Sequence, residues 1–370
     1  MKKIIIYYPY SLREQKSGSA VRPIKMLKAF EELSDNKKVE IIAIYGESSD
    51  RATFLQRLYN EIDPNDILFC YMENSTLPFW LTDKDHIPRA PFLELSFFRY
   101  LKKHHIPIGL FYRDIYWRFK EEYPLRGIKR IVMKSIYSLE LLIYKKYISH
   151  YFLPSGEMNE YVGFDPKQTS SLPPGGFIEK FEKHSQDDNQ GLNVIYVGGI
   201  SERYGLKEML ESVAILNNNH KSINLLLVCR EKELDQFKSI ITPYLEKEWL
   251  MIFHAHGEKL KGIYSRADIA IIPRQRNTYN DFAVPVKLFE YISHGLPIIS
   301  TNCIAQAEII TRFELGIVTN DNSRDLANAI ELFLDSKTKS RYTSNVKKAL
   351  LNHHSWKHRA ETVYQILGKG

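Results

Sequence analysis

The chain has 370 residues, of which 44% are hydrophobic and 26% charged, with a formal net charge of +7. That length exceeds what one hydrophobic core usually serves, so two domains are expected, and the composition is that of a folded chain rather than a disordered one. No apolar run approaches a membrane span, and Cys70, Cys229 and Cys303 lie too far apart for a disulfide framework or a metal-ligand spacing, so the expected compartment is the cytoplasm.

Met1-Lys2-Lys3 followed by Ile4-Ile5-Ile6-Tyr7-Tyr8 has the outline of a secretion leader, but its apolar stretch is too short and Pro9 ends it. It reads as a buried first strand over 3–8. A small-residue loop, Lys16-Ser17-Gly18-Ser19-Ala20, then opens a helix over 21–33, with Arg22 and Lys25 within one turn of each other. Small residues let backbone amides approach an anion, although the dinucleotide fingerprint G-x-G-x-x-G is absent and an ordinary strand-to-helix turn explains the loop equally well. Further strands are expected at 39–45, 67–71, 107–111 and 149–153, with a helix over 128–147. After the fourth strand, Arg113-Asp114 is framed by Phe111, Tyr112, Tyr116 and Trp117, either as a charged pair in a ligand site or as a local salt bridge.

The positive charge is concentrated. Residues 98–150 hold twelve Lys and Arg against four Asp and Glu, an excess of eight, one more than the net charge of the whole chain. Aromatic residues run through the same stretch. Cations mixed with amphipathic rings suit an anionic membrane surface. Single-stranded nucleic acid would also suit them, and so would a solvated face over core aromatics. Ile128, Ile131, Val132, Ile136, Leu139 and Ile143 have helical spacing that fits either core burial or a membrane-facing stripe.

Leu172-Pro173-Pro174-Gly175-Gly176 and the polar run 183–191 mark a linker, placing domains at 1–180 and 181–354. Strands at 193–197, 223–229, 249–253, 267–272 and 297–300 alternate with helices at 206–217 and 323–335. Alternation of this kind gives an α/β protein with parallel sheets, here two Rossmann-like domains. Ligands bind beyond the carboxyl ends of such strands, so two domains facing one another would make a deep cleft.

The second domain opens with Val197-Gly198-Gly199-Ile200-Ser201-Glu202-Arg203, a glycine turn followed by a guanidinium able to grip phosphate in a bidentate fashion. Pro285 to Ile299 reads as a short helix with Pro285 in its first position and Gly295 just past its end. Val284, in the capping position, cannot accept a hydrogen bond, so the amides at Val286 and Lys287 look for an anion, with the Lys287 side chain beside them. Glu290 would then reach ribose hydroxyls. Three phosphate-compatible turns together point to a nucleoside diphosphate compound. Asp83-Lys84-Asp85 carries the letters of a metal-binding motif, but in a region reading as a loop, and no histidine cluster has matching ligands, so no metal site is expected.

These residues, the glycine turn and then P-x-K-L-F-E-Y-x-x-x-G-x-P from Pro285 to Pro297, resemble bacterial glycosyltransferases of the GT-B fold, specifically glycosyltransferase family 4. Gly18-Ser19-Ala20-Val21-Arg22-Pro23 and Phe111 to Trp117 are similar to its capsular and exopolysaccharide members, and Ser355-Trp356-Lys357-His358-Arg359-Ala360 is similar to the terminal helix, about 355–370, that packs back on the first domain. The resemblance implies a retaining, metal-independent transfer of sugar from a nucleotide diphosphate sugar, without a cofactor, to a lipid-linked or polysaccharide acceptor. The basic aromatic segment, residues 98–150, is then expected to dock the enzyme peripherally at the inner face of the plasma membrane, with no nucleic acid bound. Arg203 and Lys287 would stabilise the leaving diphosphate, with Arg113 and Asp114 as further catalytic candidates. Gly18, Gly198, Gly199, Val286, Lys287, Leu288 and Glu290 would hold the donor, and Arg22 and Lys25 the acceptor. Four positions depart from the pattern: Phe282 replaces the first acid of the E-x7-E motif, Gly199 and Tyr204 replace its usual arginine and lysine, and Arg113 stands where many relatives carry the histidine of a His-Asp pair. A sugar-nucleotide epimerase on the same fold, and a basic adaptor that binds membrane or nucleic acid, are the alternatives.

Overall fold

A computed structural model describes residues 1–12, 18–178 and 191–369, without the side chains of 18–20. The polar run placed in the linker falls almost wholly outside the described residues. The chain divides into two compact units, Met1–Pro174 with Trp356–Gly370, and Gly175–Ser355.

The first unit is built on six parallel strands, β1 (Lys3–Tyr7), β2 (Glu40–Ile44), β3 (Ile67–Glu73), β4 (Ile108–Phe111), β5 (His150–Leu153) and β6 (Thr169–Ser171), in the order β2-β1-β3-β4-β5-β6. The second has β7 (Leu192–Val197), β8 (Ile223–Val228), β9 (Leu250–Phe253), β10 (Ile269–Ile272), β11 (Ile298–Thr301) and β12 (Gly316–Thr319), ordered β12-β11-β10-β7-β8-β9, again all parallel. Near-continuous apolar runs such as Ile4-Ile5-Ile6 and Ile269-Ala270-Ile271-Ile272 are fully buried, as strands covered by helices on both faces require. All ten expected strands are present. The two that the sequence did not signal, β6 and β12, are edge strands: Thr169-Ser170-Ser171 is polar and partly exposed, and Gly316-Ile317-Val318-Thr319 is only half-buried. Neither carries the apolar run by which the others are recognised.

The helix Trp356–Leu367 packs within the first unit, where Trp356, Ala360, Val363 and Leu367 join Ile4, Ile6, Met26 and Phe30 in one core. Arg359 anchors it, its Nε donating to the carbonyls of Pro173 and Pro174 at 2.9 and 3.1 Å.

The helix Gly127–Tyr147 resolves the apolar spacing noted in the sequence. It buries Tyr137, Glu140, Leu141 and Tyr144, whereas Ile128, Ile131, Val132, Leu139 and Leu142 are exposed, Ile128 to 80%. Conversely, Phe98, Phe111, Tyr112, Trp117 and Tyr123 are core residues, so the aromatics of the basic segment do not alternate with its cations at the surface.

Candidate functional site

In each sheet the strand order reverses beside its first strand, between β1 and β3 and between β7 and β10. Such reversal points leave a crevice at the carboxyl ends of the strands, and the candidate residues collect there.

In the second unit, β7 runs into Gly198 and Gly199. The Gly198 amide completes the ladder on the Val228 carbonyl at 3.0 Å, and the Tyr196 hydroxyl donates to the Gly199 carbonyl at 2.5 Å. Gly198 has φ 139°, and a Cβ there would lie 2.8 Å from the Lys287 Nζ, so its missing side chain admits the lysine. Ile200 donates its amide to the Glu233 carboxylate at 3.4 Å, which leaves the Gly199 amide as the one in this turn without a partner among the described residues.

Arg203 follows in the turn Glu202–Tyr204, capped by the Ser201 side chain. Gly205 closes it at φ 71°, and a Cβ at that position would sit 1.7 Å from the Pro273 carbonyl oxygen. The turn is therefore pressed onto the segment that leaves β10, and Gln275 donates its amide to the Arg203 carbonyl at 3.1 Å. Arg274 in that segment is a site residue that sequence reading missed. It is 6% exposed, donates through Nη1 to the Ala283 carbonyl at 3.1 Å and through Nη2 to Asn280, and its Nε has no partner among the described residues. Its one sequence signal is position, directly after the buried strand Ile269–Ile272 and Pro273.

The helix Val286–Ser293 begins one residue later than its sequence suggests. Pro285 occupies the cap position in an extended conformation, φ −72° and ψ 134°, rather than the first helical turn, and offers no capping side chain. Leu288 donates its amide to the Pro285 carbonyl at 3.2 Å and buries its side chain, so it has no amide left for a ligand. The amides of Val286 and Lys287 have no hydrogen-bond partner among the described residues. At the other end Gly295 and Leu296 donate to Ile292 and Tyr291, the Schellman arrangement.

Lys287 Nζ lies 4.0 Å from the centre of the Tyr196 ring and 5.6 Å from that of Tyr204. Arg203 and Arg274 approach the same Tyr204 ring at 5.9 and 6.0 Å, so three cations surround one aromatic side chain. Burial first, and then repulsion from Arg274, push the Lys287 ammonium down to about 7, against a smaller pull from Glu290 and Glu233. Glu290, one turn on, has its carboxyl raised by burial, opposed by Lys287. The Tyr264 hydroxyl couples to Glu290 without making a hydrogen bond of good geometry. Phe282, where the E-x7-E pattern has its first acid, is 3% exposed, and the adjacent Asp281 is held by Arg276 through Nη2 at 2.9 Å.

The remaining expected residues lie in the first unit. Gly18 opens the helix Gly18–Lys37, and Arg22 and half-buried Lys25 follow on it. Arg113 leaves β4 and meets Arg22 at a shared counter-ion, Glu73, at the end of β3. Asp114 is turned to local work: its Oδ1 accepts from the amides of Ile115 and Tyr116 at 2.6 and 3.0 Å. The carboxylates of Asp83-Lys84-Asp85 are likewise engaged, Asp83 accepting from the Ser48 amide at 2.7 Å and Asp85 pairing with Arg89. Among the described residues no group of three His, Cys, Asp or Glu is placed to hold a metal ion.

Residues 177–349 match the sequence model of the family Glycosyl transferases group 1. No curated protein matches the chain. Among solved structures, HepE from Anabaena in complex with UDP-glucose is 12% identical with a TM-score of 0.63, each chain being covered over 100% of its length. A trehalose-6-phosphate protein from E. coli bound with UDP-2-fluoro glucose is also 12% identical, with a TM-score of 0.63 over 100% of this chain and 99% of that one. WaaG, a glycosyltransferase of lipopolysaccharide biosynthesis, is 15% identical with a TM-score of 0.59, both chains being covered fully at 100%. At such identities the likeness is one of fold, the pair of parallel sheets of the GT-B architecture. The family match gives residues 177–349 as a glycosyl transferases group 1 domain, and the structural likeness gives the chain the two-sheet GT-B fold of glycosyltransferases.

Proposed function

We propose that this glycosyltransferase takes a sugar from a nucleotide diphosphate sugar and adds it, with retention at the anomeric carbon and without a metal ion, to a lipid-linked or polysaccharide acceptor in cell-surface glycan synthesis. The observation that carries the reading is Lys287, an ammonium destabilised by burial and by Arg274, seated against the Gly198 turn where two helix-start amides have no partner. A diphosphate placed there would supply the missing acceptor atoms and restore the lysine's charge. In the reaction the acceptor oxygen bonds to the anomeric carbon as the bond from that carbon to the phosphate oxygen breaks, and the hydroxyl proton passes to the departing phosphate. Arg203, Arg274 and Lys287 act where negative charge accumulates on the leaving group, the place at which preorganised cations lower a barrier most. That role is one a metal ion fills elsewhere. Glu290 is assigned to the ribose hydroxyls, Gly199 and Val286 to phosphate oxygens, and Arg22, Lys25, Arg113 and Asp114 to the acceptor side.

The exposed apolar residues of Gly127–Tyr147, flanked by Arg126, Lys129, Lys145 and Lys146, support peripheral docking on an anionic membrane at its cytoplasmic face. WaaG acts in lipopolysaccharide biosynthesis, which is in keeping with a surface glycan as product.

The test is a panel of UDP-, GDP- and ADP-sugars, scored by thermal stabilisation and by slow release of free sugar. UDP-glucose is the first choice, since it is the ligand in HepE. Stabilisation by one nucleotide with sugar release at the anomeric bond is expected. Conversion of the donor to a different nucleotide sugar, with no acceptor needed, would make the protein an epimerase instead, and indifference to all three nucleotides would reject the site.

A further inference from the structure

The first unit holds a second concentration of cations, buried more deeply than the first. Glu73, fully buried at the end of β3, is bracketed by two guanidiniums: Arg22 donates through Nε to Oε1 at 3.2 Å, and Arg113 places Nη2 3.6 Å from Oε2. The Tyr71 hydroxyl donates to Oε1 at 2.8 Å, and Arg113 donates to the Tyr10 hydroxyl at 2.8 Å. Arg22 is 4% exposed, stacked 3.4 Å from the centre of the Phe111 ring. Arg359 lies within their field and is spent on the neutral carbonyls of Pro173 and Pro174; burial first, and then Arg22, pull its guanidinium down to about 9.

Two guanidiniums thus share one buried carboxylate, and Arg359 adds its charge beside Arg22. Charge removed from water is tolerated only when it is paired and hydrogen-bonded, and here it is neither in full. Nη1 and Nη2 of Arg22 and Nε of Arg113 have no hydrogen-bond partner among the described residues. These are the forked donors that fit an oxyanion. They collect beside the reversal between β1 and β3, where an open parallel sheet receives its ligands.

We propose that Arg22 and Arg113 form a binding site in the first unit for a phosphate group carried by the acceptor. The site rests on the acceptor-side role given above to this unit, and it narrows the acceptor to a phosphorylated one. Glu73 is a positioning residue, holding both guanidiniums while leaving Nη1 and Nη2 of Arg22 and Nε of Arg113 for the ligand.

The full-length protein is titrated calorimetrically with inorganic phosphate and with farnesyl phosphate, using the native chain, Arg113→Gln and Lys287→Ala. Both probes are expected to bind, farnesyl phosphate more tightly, with affinity falling about tenfold or more in Arg113→Gln and unchanged in Lys287→Ala, as befits loss of a charge-assisted hydrogen bond. If Arg113→Gln does not fold, Arg113→Lys, which keeps the charge and loses the fork, serves in its place and is expected to weaken binding severalfold. Three results would overturn the proposal: no binding of either probe, loss in Lys287→Ala rather than in the Arg113 variant, or equal affinity for both probes, which would assign the site to free phosphate. UDP binding, followed separately, reports on the second unit, so failure of the donor assignment leaves this result readable.

Discussion

The surface of the helix Gly127–Tyr147 and the turn around Tyr204 are both cationic, yet they are opposites in construction. On the helix the lysines stand in solvent and it is the apolar side chains, Ile128, Ile131 and Val132, that lack cover. Around Tyr204 it is the cations that are taken out of water, Lys287 being pushed down to about 7 and Arg274 lowered by burial. A charge in water is cheap and does little beyond long-range attraction. A charge taken out of water holds its free energy until a ligand arrives. The first arrangement suits a broad, salt-sensitive contact, and the second a single defined anion.

The widest separation between the two regions should come from Lys287→Ala. Sugar transfer or donor hydrolysis is expected to fall by about a hundredfold, the usual cost of removing one preorganised group from developing negative charge. Binding to anionic vesicles should be unaffected and the thermal midpoint not lowered, since a desolvated ammonium is removed. A drop in vesicle binding, or near-normal turnover, would show that the two regions are not independent in this way. The converse change, Ile131→Ser, should weaken partition into vesicles containing phosphatidylglycerol roughly tenfold, because burying one such side chain is worth roughly 1.5 to 3 kcal/mol. Donor hydrolysis by that variant should match the native rate. Equal partition of the two proteins would remove the helix from the docking surface.

The smallest effect is the most direct. With its folded pKa at about 7 against the ordinary lysine value of 10.5, Lys287 binds fewer protons in the native chain than in the unfolded one across that window, so its contribution to stability rises with pH between those limits. A bound diphosphate reverses the shift. At about pH 8 nucleotide binding should therefore take up nearly one proton, and below about pH 6, where the lysine is already charged, almost none. Calorimetry in buffers of different ionisation enthalpy measures this, and Lys287→Met should abolish it. No proton uptake at pH 8 would mean that the diphosphate does not reach this ammonium.

The contrast also explains what could be read from the sequence. Composition located the surface region at once, because twelve cations in residues 98–150 alter a sum. It misjudged what lies between them: Phe98, Tyr112 and Trp117 are core, while Ile128 and Ile131, equally compatible with a core, are outside. Helical spacing gives a face but not what covers it. The buried site was found by local pattern instead, the Gly198-Gly199 turn and the bare start at Pro285, and the pattern erred by one residue because a proline with ψ 134° caps a helix as readily as it opens one. Arg274 was invisible for a different reason. Nothing near it in sequence is unusual, and it joins Lys287 only because β10 lies beside β7 in the sheet. The link between Arg22 and Arg113 through Glu73 is likewise a product of strand order, joining residues that sequence reading placed at the start of one helix and after a later strand.

The helix Trp356–Leu367 bears on how the chain comes to be folded at all. Its Trp356, Ala360, Val363 and Leu367 complete the core of a unit whose other residues precede the whole of Gly175–Ser355. During synthesis the early sheet must wait, with one flank of β3 and β4 uncovered, while the intervening unit emerges and folds as a body of its own. A ribosome that stalls anywhere in that interval leaves an apolar flank exposed beside a finished neighbour, a state attractive to chaperones and proteases. Since Arg22 also packs against Trp356, 5.6 Å from its ring, the proposed phosphate site is assembled only after the whole of Gly175–Ser355 has been made.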